Sequence, residues 1–83
     1  MAGPVLVMVA AARSAAALSP REIEVLSLLA DGLVAKQIAE QLEISCYRVR
    51  DLKESARLKL GASTTPQAIA MAQRRRLLRR PTA

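Results

Sequence analysis

The side chains with most chemistry to offer lie between Cys46 and Leu60. There Cys46, Arg50, Lys53 and Arg57 follow one another at four, three and four residues, so in a helix they share one stripe. Val49, Leu52, Ala56 and Leu60 form a second stripe, which is apolar. Tyr47, Asp51 and Glu54 lie further round the exposed side. A helix built this way can pack on its own domain and still offer donors to base edges and phosphates of a duplex. Arg50 is near the helix N-terminus and has the geometry for a bidentate pair with guanine. Lys53 and Arg57 lie further along and suit phosphate. Asp51 can accept from a cytosine amino group. Tyr47 can stack on a sugar, bond a phosphate, or simply cover the turn before it. Glu54 is four residues after Arg50, placed to pair with it and hold it. An ordinary amphipathic surface helix carries similar stripes, so charge alone does not decide.

Other chemistries have little to work with. The chain has no His, so there is no metal cluster to propose, and a His-based acid or base and a Ser–His–Asp triad are excluded. No cofactor is implied and an enzyme has almost no support. One Cys gives no disulfide framework, as expected of a reducing cytoplasm. Cys46 stands in the first helical turn; a redox switch and a small helix-start residue are both open readings. The net charge is +6 and the pI about 10.8, which favours nucleic acid or an anionic surface as partner. Every acid lies between Glu22 and Glu54. Beyond that point only Arg57, Lys59, Arg74, Arg75, Arg76, Arg79 and Arg80 carry charge.

The elements that position these groups are legible. With 83 residues, one Tyr, and no Phe or Trp, the core must be aliphatic and Ala-rich, which is helix material. Ser19-Pro20-Arg21-Glu22 is a capping box with Pro at the first helical position. Ile23, Leu26, Leu29 and Ala30 recur at helical spacing, and Gly32 after Asp31 is the expected stop, giving a first helix over 20–31. A short second helix runs over 35–42 with Ile38, Ala39 and Leu42 on its apolar face. Glu43-Ile44-Ser45 is a tight connection. Ser45 caps a third helix that runs to Leu60 and stops at Gly61. Pro66 opens a fourth, expected to end near Arg76 or Leu78. The architecture is all-α: a four-helix, bundle-like domain whose second and third helices form a helix-turn-helix. Residues 18–78 make the domain. Residues 1–17 are an apolar extension or linker, expected to be poorly ordered. Their apolar stretch, Pro4 to Ala12, is too short to span a membrane. Residues 79–83 are a basic tail.

Several ordered pieces resemble the LuxR-type (GerE-like) DNA-binding domain of bacterial transcription regulators. They are Leu18-Ser19-Pro20-Arg21-Glu22-Ile23-Glu24-Val25-Leu26, Gly32-Leu33, Lys36-Gln37-Ile38-Ala39, Leu42, Ile44-Ser45, Val49-Arg50 and Lys59-Leu60-Gly61-Ala62. The resemblance covers roughly residues 18–72. It implies that Arg50 is the base-contacting cation, that Lys36 contacts phosphate, and that Lys59 lies close to the DNA backbone. It makes Leu26, Ile38, Leu42, Val49 and Leu60 core positions. The base-facing set is then Arg50, Asp51 and Tyr47, and the backbone-facing set Lys36, Ser45, Arg48, Lys53, Arg57 and Lys59. By the same resemblance, and by its shallow face of small residues, the fourth helix makes a homodimer contact near Ile69, Ala72 and Gln73. That face closing only the monomer core is the alternative.

The sequence departs from the family pattern at several points. Val34 stands where a Ser or Thr usually caps the second helix, a loss of about 1 kcal/mol unless another group replaces it. Arg48 replaces a usual Thr, Leu52 a common His and Ala56 a common Ile. Ala56 removes core volume, so either the helices approach more closely or stability falls. Asp51 and Glu54 fall where neutral or basic side chains often face DNA. The third helix is also similar to region 4 of bacterial sigma factors, whose partners include RNA polymerase. The rival function is therefore a module that grips polymerase or another regulator. The expected partners are double-stranded DNA and a second copy, with RNA polymerase as a further candidate. No membrane is expected, and the expected location is cytoplasmic.

Overall fold

A computed structural model describes residues 17–78. The N-terminal extension up to residue 16 and the basic tail 79–83 lie outside the described residues. Four helices follow in order: α1 (Pro20–Ala30), α2 (Ala35–Leu42), α3 (Cys46–Leu60) and α4 (Thr65–Arg74). No strand occurs among the described residues.

Local chemistry sets the boundaries. The Ser19 hydroxyl accepts from the Glu22 amide at 3.1 Å, while Glu22 Oε1 accepts from the Ser19 amide at 2.7 Å, completing the capping box. Asp31 caps the far end of α1 rather than extending it, and Gly32 takes the left-handed conformation at φ 94°. Ser45 starts α3 by accepting from the Arg48 amide at 2.9 Å, and Gly61 ends it at φ 73°. Thr64 caps α4, accepting from the Gln67 amide at 3.2 Å. At the start of α2 no side chain serves the first-turn amides. Gln37 Oε1 accepts from the Val34 amide at 3.0 Å, which ties down the start of α2 but does not replace the acceptor missing at Val34.

Two boundaries depend on non-glycine residues in left-handed conformations. Glu43 ends α2 at φ 57° and sends its amide to the carbonyls of Ala39 and Glu40. Arg76, just past the cap residue Arg75 of α4, is left-handed at φ 56° and sends its amide to Gln73 O at 3.0 Å. This reversal ends α4 at Arg74, earlier than the expected Arg76 or Leu78. Its physical return is burial: the Leu77 amide donates to Ala72 O at 2.9 Å, and Leu77 and Leu78 fold back onto the core.

The core divides into two clusters that share α1 and α3. Val25, Ile38, Ala39, Val49 and Leu52 join α1, α2 and α3. Leu26, Ala56, Leu60, Ala62, Ala68 and Ala72 join α1, α3 and α4. α3 packs on all three other helices, whereas α2 and α4 do not meet. Four of the six residues in the second cluster are Ala, so α3 and α4 close on each other through methyl groups.

Candidate nucleic-acid interface

The apolar stripe of α3 is wholly spent on the core: Val49, Leu52, Ala56 and Leu60 are all buried. That fixes the rotation of the helix and decides which side chains face water. Tyr47, Arg50, Asp51, Glu54 and Leu58 are exposed, with Tyr47 at 76% and Leu58 at 63%. Cys46 is exposed as well, at the first residue of α3. Ser45 and Arg48 stand exposed at the same end, and Lys36 at the start of α2. The turn Glu43-Ile44-Ser45 is pulled tight by the Ile44 amide, which donates to Ala39 O at 3.0 Å. The beginning of α3 therefore stands clear of the domain, while α1 and α2 brace its inner side.

The cations separate into two groups. Among the described residues Lys36, Arg48, Arg50 and Lys53 form no ion pair, so their charge is available to a partner. Arg57 and Lys59 are engaged within the domain. Lys59 Nζ reaches Glu22 Oε1 at 2.9 Å. Arg57 grips Glu54 with two nitrogens and donates through a third to Ala62 O at 2.8 Å. The expected Arg50–Glu54 pair does not form. Arg57 is the better partner because the carbonyls of the turn after Leu60 hold its guanidinium in place.

Glu22 is the best-buried acid, 3% exposed. Burial pushes its carboxyl up, but hydrogen bonds from Ser55, the Ser19 amide and Lys59 outweigh it and bring the pKa down to about 2. Glu54 is also lowered, chiefly by its hydrogen bond from Arg57. Sequence reasoning placed Glu22 in the capping box and did not find its contacts with α3. Its spacing from Ser55 and Lys59 carries no local signal.

Of the residues expected near a dimer axis, Ala72 is fully buried in the monomer core, so its methyl cannot meet a partner. Ile69 is half-buried and Gln73 exposed. Among the described residues no cluster of Cys, Asp or Glu could hold a metal ion, and no helix is long and apolar enough to cross a membrane.

A short helix, a three-residue turn and a longer helix with an exposed, partly basic outer face define a helix-turn-helix domain of the DNA-binding class. The comparisons with known proteins agree. The family described as "Bacterial regulatory proteins, luxR family" matches residues 16–72. The chain belongs to this family of DNA-binding transcription regulators. It is 39% identical over 61 residues to the "Oxygen regulatory protein NreC" of Staphylococcus aureus (strain JH9), and equally to that of strain USA300. The matched segment is 74% of this chain and 28% of NreC, so the chain corresponds to less than a third of that relative's length. No solved structure matches the chain.

Proposed function

We propose that this domain binds specific sites in double-stranded DNA by laying α3 in the major groove, and so regulates transcription in the cytoplasm. The observation that carries this reading is the division of α3. Its inner stripe is buried in the core, and Arg50 stands unpaired on the outer side within two turns of the N-terminus. An Arg so placed can pair with guanine O6 and N7. Asp51 and Tyr47 flank it as further base contacts. Lys36, Ser45, Arg48 and Lys53 are the backbone contacts. Arg57 and Lys59, which the sequence also offers as backbone contacts, have their charge largely satisfied inside the domain.

Dimerisation through α4 is part of the same proposal, with Ile69 and Gln73 near the axis. A second reading rests on the outer face itself: Asp51, Glu54 and the exposed Leu58 suit a protein surface, such as RNA polymerase or another regulator, better than phosphate. One experiment separates the two. Duplexes are selected from a random pool by the parent chain and by Arg50→Ala. Loss of affinity and of a preferred guanine in the variant supports the duplex reading. Unchanged affinity and preference would remove α3 as the reading helix.

A further inference from the structure

Glu54 is the part of the outer face that phosphate attraction does not explain. It follows Arg50 by one turn and is exposed. A free carboxylate there would repel DNA. The structure shows that it is not free. Arg57 Nε donates to Glu54 Oε1 at 3.0 Å and Nη2 donates to Oε2 at 2.5 Å. The same guanidinium is anchored from behind, where Nη1 donates to Ala62 O at 2.8 Å and, more weakly, to Ser63 O at 3.5 Å. Ala62 belongs to the buried cluster that joins α3 to α4. The carboxylate is therefore tied, through one planar group, to the rigid framework.

Two consequences follow. First, the pair carries no net charge, so Glu54 adds little repulsion. Second, the carboxylate is orientated without being used up. It has about four lone-pair sites and the fork takes one on each oxygen, which leaves acceptor capacity on both. Its side chain is still 56% exposed, against 22% for Arg57. A fixed acceptor with no donor discriminates among base edges in the major groove. It matches the amino groups of cytosine and adenine. It opposes guanine O6 and N7 and thymine O4, which are themselves acceptors. Asp51 has no comparable anchor among the described residues.

We infer that Glu54, held by Arg57, is a specificity-determining residue that accepts a hydrogen bond from the amino group of a cytosine or adenine beside the base pair met by Arg50. This inference rests on the reading that α3 enters the major groove. The test is selection from a random duplex pool by the full chain and by Glu54→Ala, Glu54→Gln and Arg50→Ala, each checked for helical content. The parent sites should contain one position held to cytosine or adenine. Glu54→Ala should weaken that preference by about fivefold or more, while the preference that depends on Arg50 persists. Glu54→Gln should move it towards adenine, since an amide both donates and accepts. If Glu54→Ala selects the same sites as the parent, or merely binds every duplex more tightly, this inference fails and the placement of α3 stands. A parent chain that selects no site overturns both.

Discussion

Glu22 Oε1 and Lys59 Nζ meet at 2.9 Å although 37 residues separate them in the chain. The same oxygen accepts from the Ser19 amide, and Oε2 accepts from the Ser55 hydroxyl at 2.5 Å. One carboxylate thus closes the capping box of α1 and ties that helix to the second half of α3. The orientation of the outer face of α3 therefore depends on an acid that never reaches that face.

The first prediction concerns pH. The folded pKa of Glu22 is about 2, against an ordinary value of 4.5. A group lowered in the folded state contributes stability that is fully present above its unfolded pKa. That contribution is lost as pH falls through the folded value. The contribution is about 3 kcal/mol, from roughly 1.4 kcal/mol for each pKa unit. Stability from urea titrations should be level near neutrality and decline from about pH 5 towards pH 2. Glu22→Gln should lower it at pH 7 and flatten most of that decline. A parent chain as stable at pH 3 as at pH 7 would show that the carboxylate does not tie α1 to α3.

The second prediction concerns packing. Ala56 is fully buried together with Ala62, Ala68 and Ala72. A larger side chain fits only if α4 moves away from α3. Ala56→Ile, though it restores a residue common in the family, should destabilise the domain by about 1–3 kcal/mol. It should also loosen Leu77 and Leu78, which cover the same cluster. Thermal melts of parent and variant settle the sign. A gain in stability would mean that space remains beside Ala56 and that α3 and α4 are not in close contact.

What the sequence revealed and what it hid have physical causes. Ser19-Pro20-Arg21-Glu22, Ser45, Gly32 and Gly61 announce helix ends because their chemistry is local, and each lies where expected. The apolar stripe of α3 was equally legible, so the outward side of the helix followed from spacing alone. α2 also ends at Leu42 as expected, although Glu43 rather than a Gly takes the left-handed conformation there, whereas the end of α4 was less visible, since Arg76 adopts a conformation usually marked by Gly. Spacing along one helix allowed Glu54 to pair at i−4 or i+3. The choice of Arg57 depends on carbonyls beyond the end of that helix. Ala72 read as surface because small residues on a shallow face look alike whether they meet a partner or their own core.

The third prediction separates holding DNA from reading it. Lys36 is exposed in the first turn of α2, where the amides have no side-chain acceptor and the helix end carries partial positive charge. Those groups and the Lys36 ammonium together suit one phosphate. Lys36→Ala should therefore weaken binding to all duplexes by a similar factor. It should also reduce the slope of log affinity against log salt by about one. Arg50→Ala should instead erase the advantage of the selected site over random duplex. The contrast matters because both variants lose affinity at a single salt concentration. Titration at several salt concentrations, on one selected and one random duplex, resolves them. An unchanged slope for Lys36→Ala would place that ammonium away from the backbone and leave the start of α2 without a phosphate to hold.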